Sequence, residues 1–429
     1  MALEGTLVED HNKDTLLYAG KVNLRITDWF FLKDKIELEY IGLDDASIYM
    51  HRVNKEWNYQ FLIDYFSSPS TGEKKQRIDL DLKLVQFNNV HFLRKDEWRG
   101  EDLMFHVRSF GVDARNIDLD NRNIEIRSIR IEEPLFSIYN YPGNRPPRAK
   151  VLPGKEISGD TAITWNPAGW SMVVDQLVIS DGILKSDNKQ ERQPHYYFDG
   201  SHILFGKINS TFKNLRLRAD TISADARLAT RERSGFEVKS LNAQFKWHPK
   251  SMSFANLDII TNKSRLRNSF KMSYDSFSDM SDFIEKVRLE GNFKDSHIES
   301  DDIAYFAPEL EKWKKRVTVS GVVKGTISNL SARGMVINAG KNTVLNGDIK
   351  LTGLPEINET YIDFKTNDFR TNYTDAVAFI PEIRNLKTPR LDRITYLRFR
   401  GNFTGFINDF VTYGTIETNL GNIRTDVNM

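Results

Sequence analysis

Eight residues near the start of the chain, Ile41-Gly42-Leu43-Asp44-Asp45-Ala46-Ser47-Ile48, set a pattern that recurs three times. Apolar residues stand two apart, two polar residues interrupt them, and the alternation resumes after a step of three. The pattern returns at Val85, Phe87, Asn88-Asn89, Val90 and Phe92, at Ile129, Ile131, Glu132-Glu133, Pro134 and Phe136, and at Leu177, Ile179, Ser180-Asp181, Gly182 and Leu184. From Leu43 through Phe87 and Ile131 to Ile179 the spacings are 44, 44 and 48. Alternation at period two marks a strand with one apolar face, and in a straight strand residues i and i+3 point to opposite faces. They share a face across a two-residue hairpin turn or a bulge. Each copy therefore reads as strand, tight corner, strand, with the apolar face kept through the corner. An ordinary hairpin gives the same local pattern, but the near-constant spacing favours a repeat architecture.

Composition narrows the function classes. The 429 residues carry 60 Lys+Arg against 59 Asp+Glu, so no electrostatic footprint for nucleic acid or an anionic membrane surface stands out. Cysteine is absent, which removes disulfides, CxxC redox chemistry and thiolate metal sites. Twenty-seven Phe and fifteen Tyr favour strands. No apolar run reaches the roughly 18 residues of a membrane span, and no basic-then-apolar export signal opens the chain. Residues 1–14 read as linker, and both ends read as the boundaries of a fragment.

Residues 15–141 form a β-rich N-terminal segment, with Glu56 to Phe66 at the spacing of a short capping helix. Five prolines and three glycines between Pro142 and Pro167 mark 142–170 as a linker or long loop. Strands resume over 171–429. Leu215 and Leu217 alternate into Ala219, and Ile222, Ala224, Ala226 and Leu228 follow after a step of three. Ser300-Asp301-Asp302 reads as the cap of a helix over Ile303 to Lys314, limited by Pro308.

A second repeat occupies about 300–372 and 373–429. Asp302, Phe306 and Pro308-Glu309-Leu310 return 73 residues later as Asp375, Phe379 and Pro381-Glu382-Ile383. Val317, Val319, Gly321, Val323, Gly325 and Ile327 return 80 residues later as Leu397, Phe399, Gly401, Phe403, Gly405 and Ile407. Glycines on the apolar face either mark a bulge or corner, or let the sheet bend and another chain approach.

About twenty short strands and few helices exclude a doubly wound fold. Two architectures remain, a stack of sandwiches or one elongated antiparallel sheet curled into an open trough with an apolar lining. The trough's expected lining is Leu215, Leu217, Ala224, Leu228 and the two six-residue series above.

The back half also carries a resemblance. Asp302-Ile303-Ala304-Tyr305-Phe306-Ala307-Pro308-Glu309-Leu310, Val319 to Gly325, Gly340-Lys341-Asn342-Thr343, Thr352-Gly353-Leu354-Pro355 and Thr371-Asn372-Tyr373 resemble the TamB branch of the AsmA-like proteins of gram-negative bacteria. The opening, from Asp14 to Ala19, Ile36 to Met50 and Tyr59 to Phe66, resembles the segment after that family's membrane anchor. The resemblance implies a long periplasmic β-trough with an apolar interior, anchored to the inner membrane in the full-length protein. It also implies contact with outer-membrane assembly machinery through parts this chain lacks.

Enzyme chemistry has no candidate in the sequence. The eight histidines show no HExxH and no ligand spacing, Asp118 to Asn123 reads as a polar hairpin turn, and no GxSxG, GxxxxGK or GxGxxG occurs. No cofactor is expected. The function expected is lipid transport along an apolar groove. The alternatives are a scaffold or chaperone for outer-membrane β-barrel proteins, and a spacer without cargo.

Overall fold

The computed structural model describes residues 1–26, 35–67, 77–79, 82–146, 164–192, 196–379, 381–386, 388 and 390–428. They form 22 strands and four short α-helices in two units, Met1–His195 with Asp199–Gly235, and Tyr196–Phe198 with Phe236–Met429. The protein is mainly β, as the alternation demands.

The first unit holds β1 (Ala2–Glu9), β2 (Thr15–Ile26), β3 (Lys35–Arg52), β4 (Arg77–Asp79), β5 (Leu84–Asp96) and β6 (Glu101–Asp118). After them come β7 (Asn123–Glu132), β8 (Leu135–Asn140), β9 (Ser171–Asn188), β10 (Ile203–Arg218) and β11 (Thr221–Glu232). Helix α1 (Gln60–Ser67) follows β3, close to where the sequence places it. β1 falls within the stretch read as linker. Of residues 142–170, those from 147 to 163 lie outside the described residues, and the rest contribute no strand.

The sheet of this unit is mixed, which corrects the all-antiparallel expectation. β3 runs parallel to β5, and β7 and β8 run parallel to β9. The repeat explains why. Leu43 sits beside Phe87 and Asp44 beside Asn88, so the 44-residue spacing is itself the register. Ile131 beside Ile179 does the same at a spacing of 48. Two copies of one pattern match residue for residue only when their strands run the same way.

The corner is a bulge and not a turn. β3, β5 and β9 pass through it without reversing, and β7 and β8 continue one line along β6 on either side of it. In all four copies the second polar residue takes the left-handed conformation, with φ of 51° at Asp45, 51° at Asn89, 49° at Glu133 and 52° at Asp181. One residue left-handed lets the strand absorb an extra position and return its side chains to the same face. Asn89 and Asp45 are joined by a 2.6 Å hydrogen bond from Asn89 Nδ2, and Asn88 and Asp44 by another of 2.6 Å, so adjacent bulges lock together.

The second unit holds β12 (Glu237–His248), β13 (Ser251–Thr261), β14 (Arg265–Ser273), β15 (Arg288–Glu299), β16 (Arg316–Gly325) and β17 (Asn329–Ala339). It continues through β18 (Thr343–Thr352), β19 (Tyr361–Thr371), β20 (Leu397–Phe406), β21 (Asp409–Thr418) and β22 (Gly421–Asn428). Here each strand pairs antiparallel with the next. Helix α2 (Phe283–Lys286) precedes β15, α3 (Ser300–Ile303) follows it, and α4 (Tyr373–Phe379) follows β19. α3 is one turn starting at Ser300, shorter and earlier than the helix expected over Ile303 to Lys314. A separate 3-10 turn begins at Pro308, whose missing N–H and fixed φ suit a start and not an interior.

Candidate functional site: an apolar face crossed by continuous rows

Register converts the alternation into rows running across the strands. In the second unit one row passes through all eleven strands as Phe245, Phe254, Phe270, Gly291, Val323, Ala332, Ile349, Phe364, Phe403, Thr412 and Val427. Only Gly291 and Thr412 interrupt it, and the Phe293 ring leans over Gly291. A second row, four or five residues along each strand from the first, reads Val319, Ile337, Leu345, Phe369, Phe399, Ile416 and Ile423. Rings meet within the face, tilted with centroids 5.4 Å apart for Phe245 and Phe254 and stacked at 4.7 Å for Phe403 and Phe410. Among the described residues this unit has no second sheet, and its α-helices of four to seven residues are too short to cover eleven strands.

The first unit has its own row, Val22, Leu43, Phe87, Phe110, Ile131, Ile179, Ser210 and Leu228. The four residues that announced the repeat all stand in it. Small side chains sit deepest beside it, Ala19 and Ala46 being fully buried with Val107. Ser210 is the polar exception. Among the described residues its Oγ is buried without a hydrogen-bond partner, a costly arrangement in an otherwise apolar line.

The opposite face is charged. Cross-strand ion pairs join Lys324 to Glu290 at 2.8 Å, Arg265 to Asp258 at 2.7 Å and Arg398 to Asp368, and Arg370 on the same strand as Asp368 also pairs with it. The Arg265 hydrogen bond holds the Asp258 carboxyl below its usual range, and the Lys324 hydrogen bond does so for Glu290. Each strand thus keeps one wet face and one apolar face.

Most of the expected lining residues share these faces. Leu217 stands beside Ile222, and Leu215, Ala224 and Leu228 lie on the same side of β10 and β11. Val317, Val319 and Val323 on β16 and Leu397, Phe399 and Phe403 on β20 lie on the second unit's apolar side. Ile327 and Ile407 do not: both fall in hairpin turns beyond the strands, and Ile407 is exposed. The glycines divide into two kinds. Gly321 leaves room for the Met335 thioether, whereas a Cβ on Gly401 would meet the Tyr413 carbonyl at 2.1 Å before the Phe399 ring at 2.8 Å. Gly325 and Gly405 have φ of +127° and +134° and face the backbone carbonyls of Asn329 and Asp409, where a Cβ would come within 2.1 and 2.3 Å. They close the β16–β17 and β20–β21 hairpins, so a large ring placed there would strain the turn instead of filling a lumen. Sequence reasoning passed over Leu345, Ile349, Leu351, Ile362 and Phe364, whose own period-two alternation was signal enough.

No family model, curated protein or solved structure matches the chain. Among the described residues no three His, Asp or Glu side chains are grouped to hold a metal ion, and no helix is long and apolar enough to cross a membrane. What fold and face together define is a class: a β-sheet protein in each of whose two units the strands line up apolar side chains in rows on one side.

Proposed function

We propose that the apolar face holds the acyl chains of phospholipid and that the chain is the strand-built part of a periplasmic bridge carrying lipid between the inner and outer membranes. The observation that carries this reading is the row from Phe245 to Val427, apolar in nine of eleven strands. A soluble protein rarely leaves so large an apolar surface without an occupant. An acyl chain suits it, since each methylene kept from water is worth roughly 0.8 kcal/mol and the rows offer equivalent contacts from strand to strand. Headgroups would stay at the charged margin. The TamB-like stretches around Asp302 and Asp375 support the same reading, with the sheet curled as a trough, no catalytic step, no cofactor, and outer-membrane machinery met through other parts of the bridge.

A second reading rests on a different feature. β22 pairs only with β21 among the described residues, and Ile423 on it is 59% exposed. An open strand edge with apolar side chains is a template for adding a strand of an unfolded β-barrel protein. Mass spectrometry of material extracted from detergent-free protein separates the two. The lipid reading requires bound phospholipid near stoichiometry, and lipid-free protein that instead captures barrel-derived peptides would replace it with the scaffold reading.

A further inference from the structure

The connections that follow β13, β15, β17, β19 and β21 all lie at one end of the second unit's sheet. Ile303, Phe306, Trp313, Leu386, Tyr396 and Leu420 are exposed there, Phe306 by 51% and Trp313 by 49%. None of the six stands in the apolar rows, so an acyl chain on the rows does not account for them. Their positions are fixed by the surrounding structure. Phe306 packs against Phe236 and Phe198, with centroids 5.0 and 5.2 Å away, and the Phe198 N–H donates to the Tyr305 carbonyl at 2.7 Å. Asn419 joins the β21–β22 turn to the connection before β20, its Nδ2 donating to the Arg393 carbonyl at 3.0 Å and its Oδ1 accepting the Thr395 N–H at 2.9 Å.

Charge at this end is not fully matched. In Lys312-Trp313-Lys314-Lys315-Arg316 four cations surround one indole. Lys314 is met by Asp301 at 3.0 Å and Arg316 by Glu299 at 3.7 Å, and Lys315 lies over the Phe379 ring. Among the described residues the exposed Lys312, Lys341 and Arg384 form no ion pair, against Glu237 and Glu311. The opposite end has the reverse balance, with Glu285, Glu356, Glu359 and Asp409 exposed and in no ion pair among the described residues. Trp313 meets no other ring there and its indole N–H has no hydrogen-bond partner among the described residues.

We propose that this end of the second unit docks on the surface of an anionic phospholipid bilayer, with Phe306 and Trp313 at headgroup depth and Lys312, Lys341 and Arg384 on the lipid phosphates. Rings with a polar tip and cations on flexible stems are the side chains that settle at a membrane–water boundary. A protein partner is a poorer match, because lysine is depleted at the centre of protein interfaces and here flanks the one uncovered indole. The acidic end would be repelled by the same lipids, so the contact has one orientation.

Flotation of the full chain with vesicles of equal parts phosphatidylglycerol and phosphatidylcholine tests this, with pure phosphatidylcholine vesicles for comparison. The expected result is binding to the mixed vesicles that weakens as salt rises. K312Q/K341Q/R384Q should weaken it about a hundredfold, at roughly fivefold per cation near an anionic surface. W313S should weaken it about tenfold through the apolar area returned to water. These side chains are exposed, so both variants should melt like the parent, and I407S, at an exposed apolar site on the opposite end, should bind like the parent. Absence of binding to the mixed vesicles overturns the proposal, as does equal binding to pure phosphatidylcholine. Binding that the triple variant and W313S leave unchanged, or that I407S reduces as much as W313S does, overturns it by placing the contact elsewhere. Flotation reads docking on a bilayer, so these outcomes stand apart from whether phospholipid occupies the apolar rows.

Discussion

Asp302 and Asp375, 73 residues apart, do the same work on two different hairpins. Asp375 Oδ2 accepts the backbone N–H groups of Asn342 at 2.6 Å and Lys341 at 3.1 Å and the Thr343 hydroxyl at 3.2 Å, in the turn between β17 and β18. Asp302 Oδ2 accepts those of Ser264 at 2.8 Å and Lys263 at 3.0 Å, together with the Thr261 hydroxyl, in the turn between β13 and β14. Each aspartate is the third residue of a short helix and is buried. A helix of one or two turns has little stability of its own. Its carboxylate, by satisfying turn donors that would otherwise be buried unpaired, ties the helix to the end of the sheet.

Asp375→Ala is therefore expected to destabilise the second unit by about 2–4 kcal/mol, since hydrogen bonds to a charged acceptor are the stronger class and their donors stay behind unpaired. Urea melts give the magnitude. Hydrogen exchange at Lys341 and Asn342 should rise ahead of exchange in β12 and β13, and Asp302→Ala should reverse that order by releasing Lys263 and Ser264.

Acid should weaken the sheet through Asp368. Hydrogen bonding from Arg370, and then from Arg398, holds its carboxyl at about 2, against the ordinary 3.8. A depressed native value contributes stability above pH 4 that is lost as pH falls from about 4 through 2. Arg370 is more than half exposed, so solvent screening keeps the effect below roughly 2 kcal/mol. Asp368→Asn should flatten that part of the stability profile and leave the region above pH 5 parallel to the parent.

The left-handed bulge residues make a signed prediction. Lys207 has φ of +51° and an exposed side chain. Lys207→Gly should stabilise by about 0.5–1 kcal/mol, because glycine meets no Cβ penalty in that conformation, and Lys207→Val should destabilise by more. Thermal melts of the pair decide it. A stabilising valine would mean that the bulge geometry is wrong.

A carboxylate on the apolar face should be tolerated unequally. Ala224 is 6% exposed, so Ala224→Asp buries an unpaired charge and should cost several kcal/mol. Leu217 is only half-buried near the β10–β11 turn, and Leu217→Asp should cost less. The control Arg218→Asp, on the exposed side, should stay within about 0.5 kcal/mol of the parent.

How much of this was legible follows from what periodicity encodes. The step of three fixes which side chains share a face, and Leu43, Phe87, Ile131 and Ile179 indeed form one row. It does not fix whether the chain reverses there, because a hairpin turn and a bulge move side chains alike; only the backbone at Asp45 and Asn89 distinguishes them. Parallel pairing of β3 with β5 was hidden for a related reason, since the spacing of 44 gives the register but not the path between the strands. Gly325 and Gly321 look equivalent in sequence, yet one closes a hairpin and the other seats Met335.

The apolar rows can be tested where they stand. A photoreactive benzoylphenylalanine placed at Phe364 or Phe403, which face each other across β19 and β20, points into the row, and the same residue at Lys365 or Arg400 points to the charged side. Irradiation in cells followed by mass spectrometry of the purified chain should give phospholipid adducts from Phe364 and Phe403 and none from Lys365 or Arg400. Adducts in equal yield from both faces, or peptide adducts in place of lipid at Phe364 and Phe403, would contradict a lipid-carrying surface.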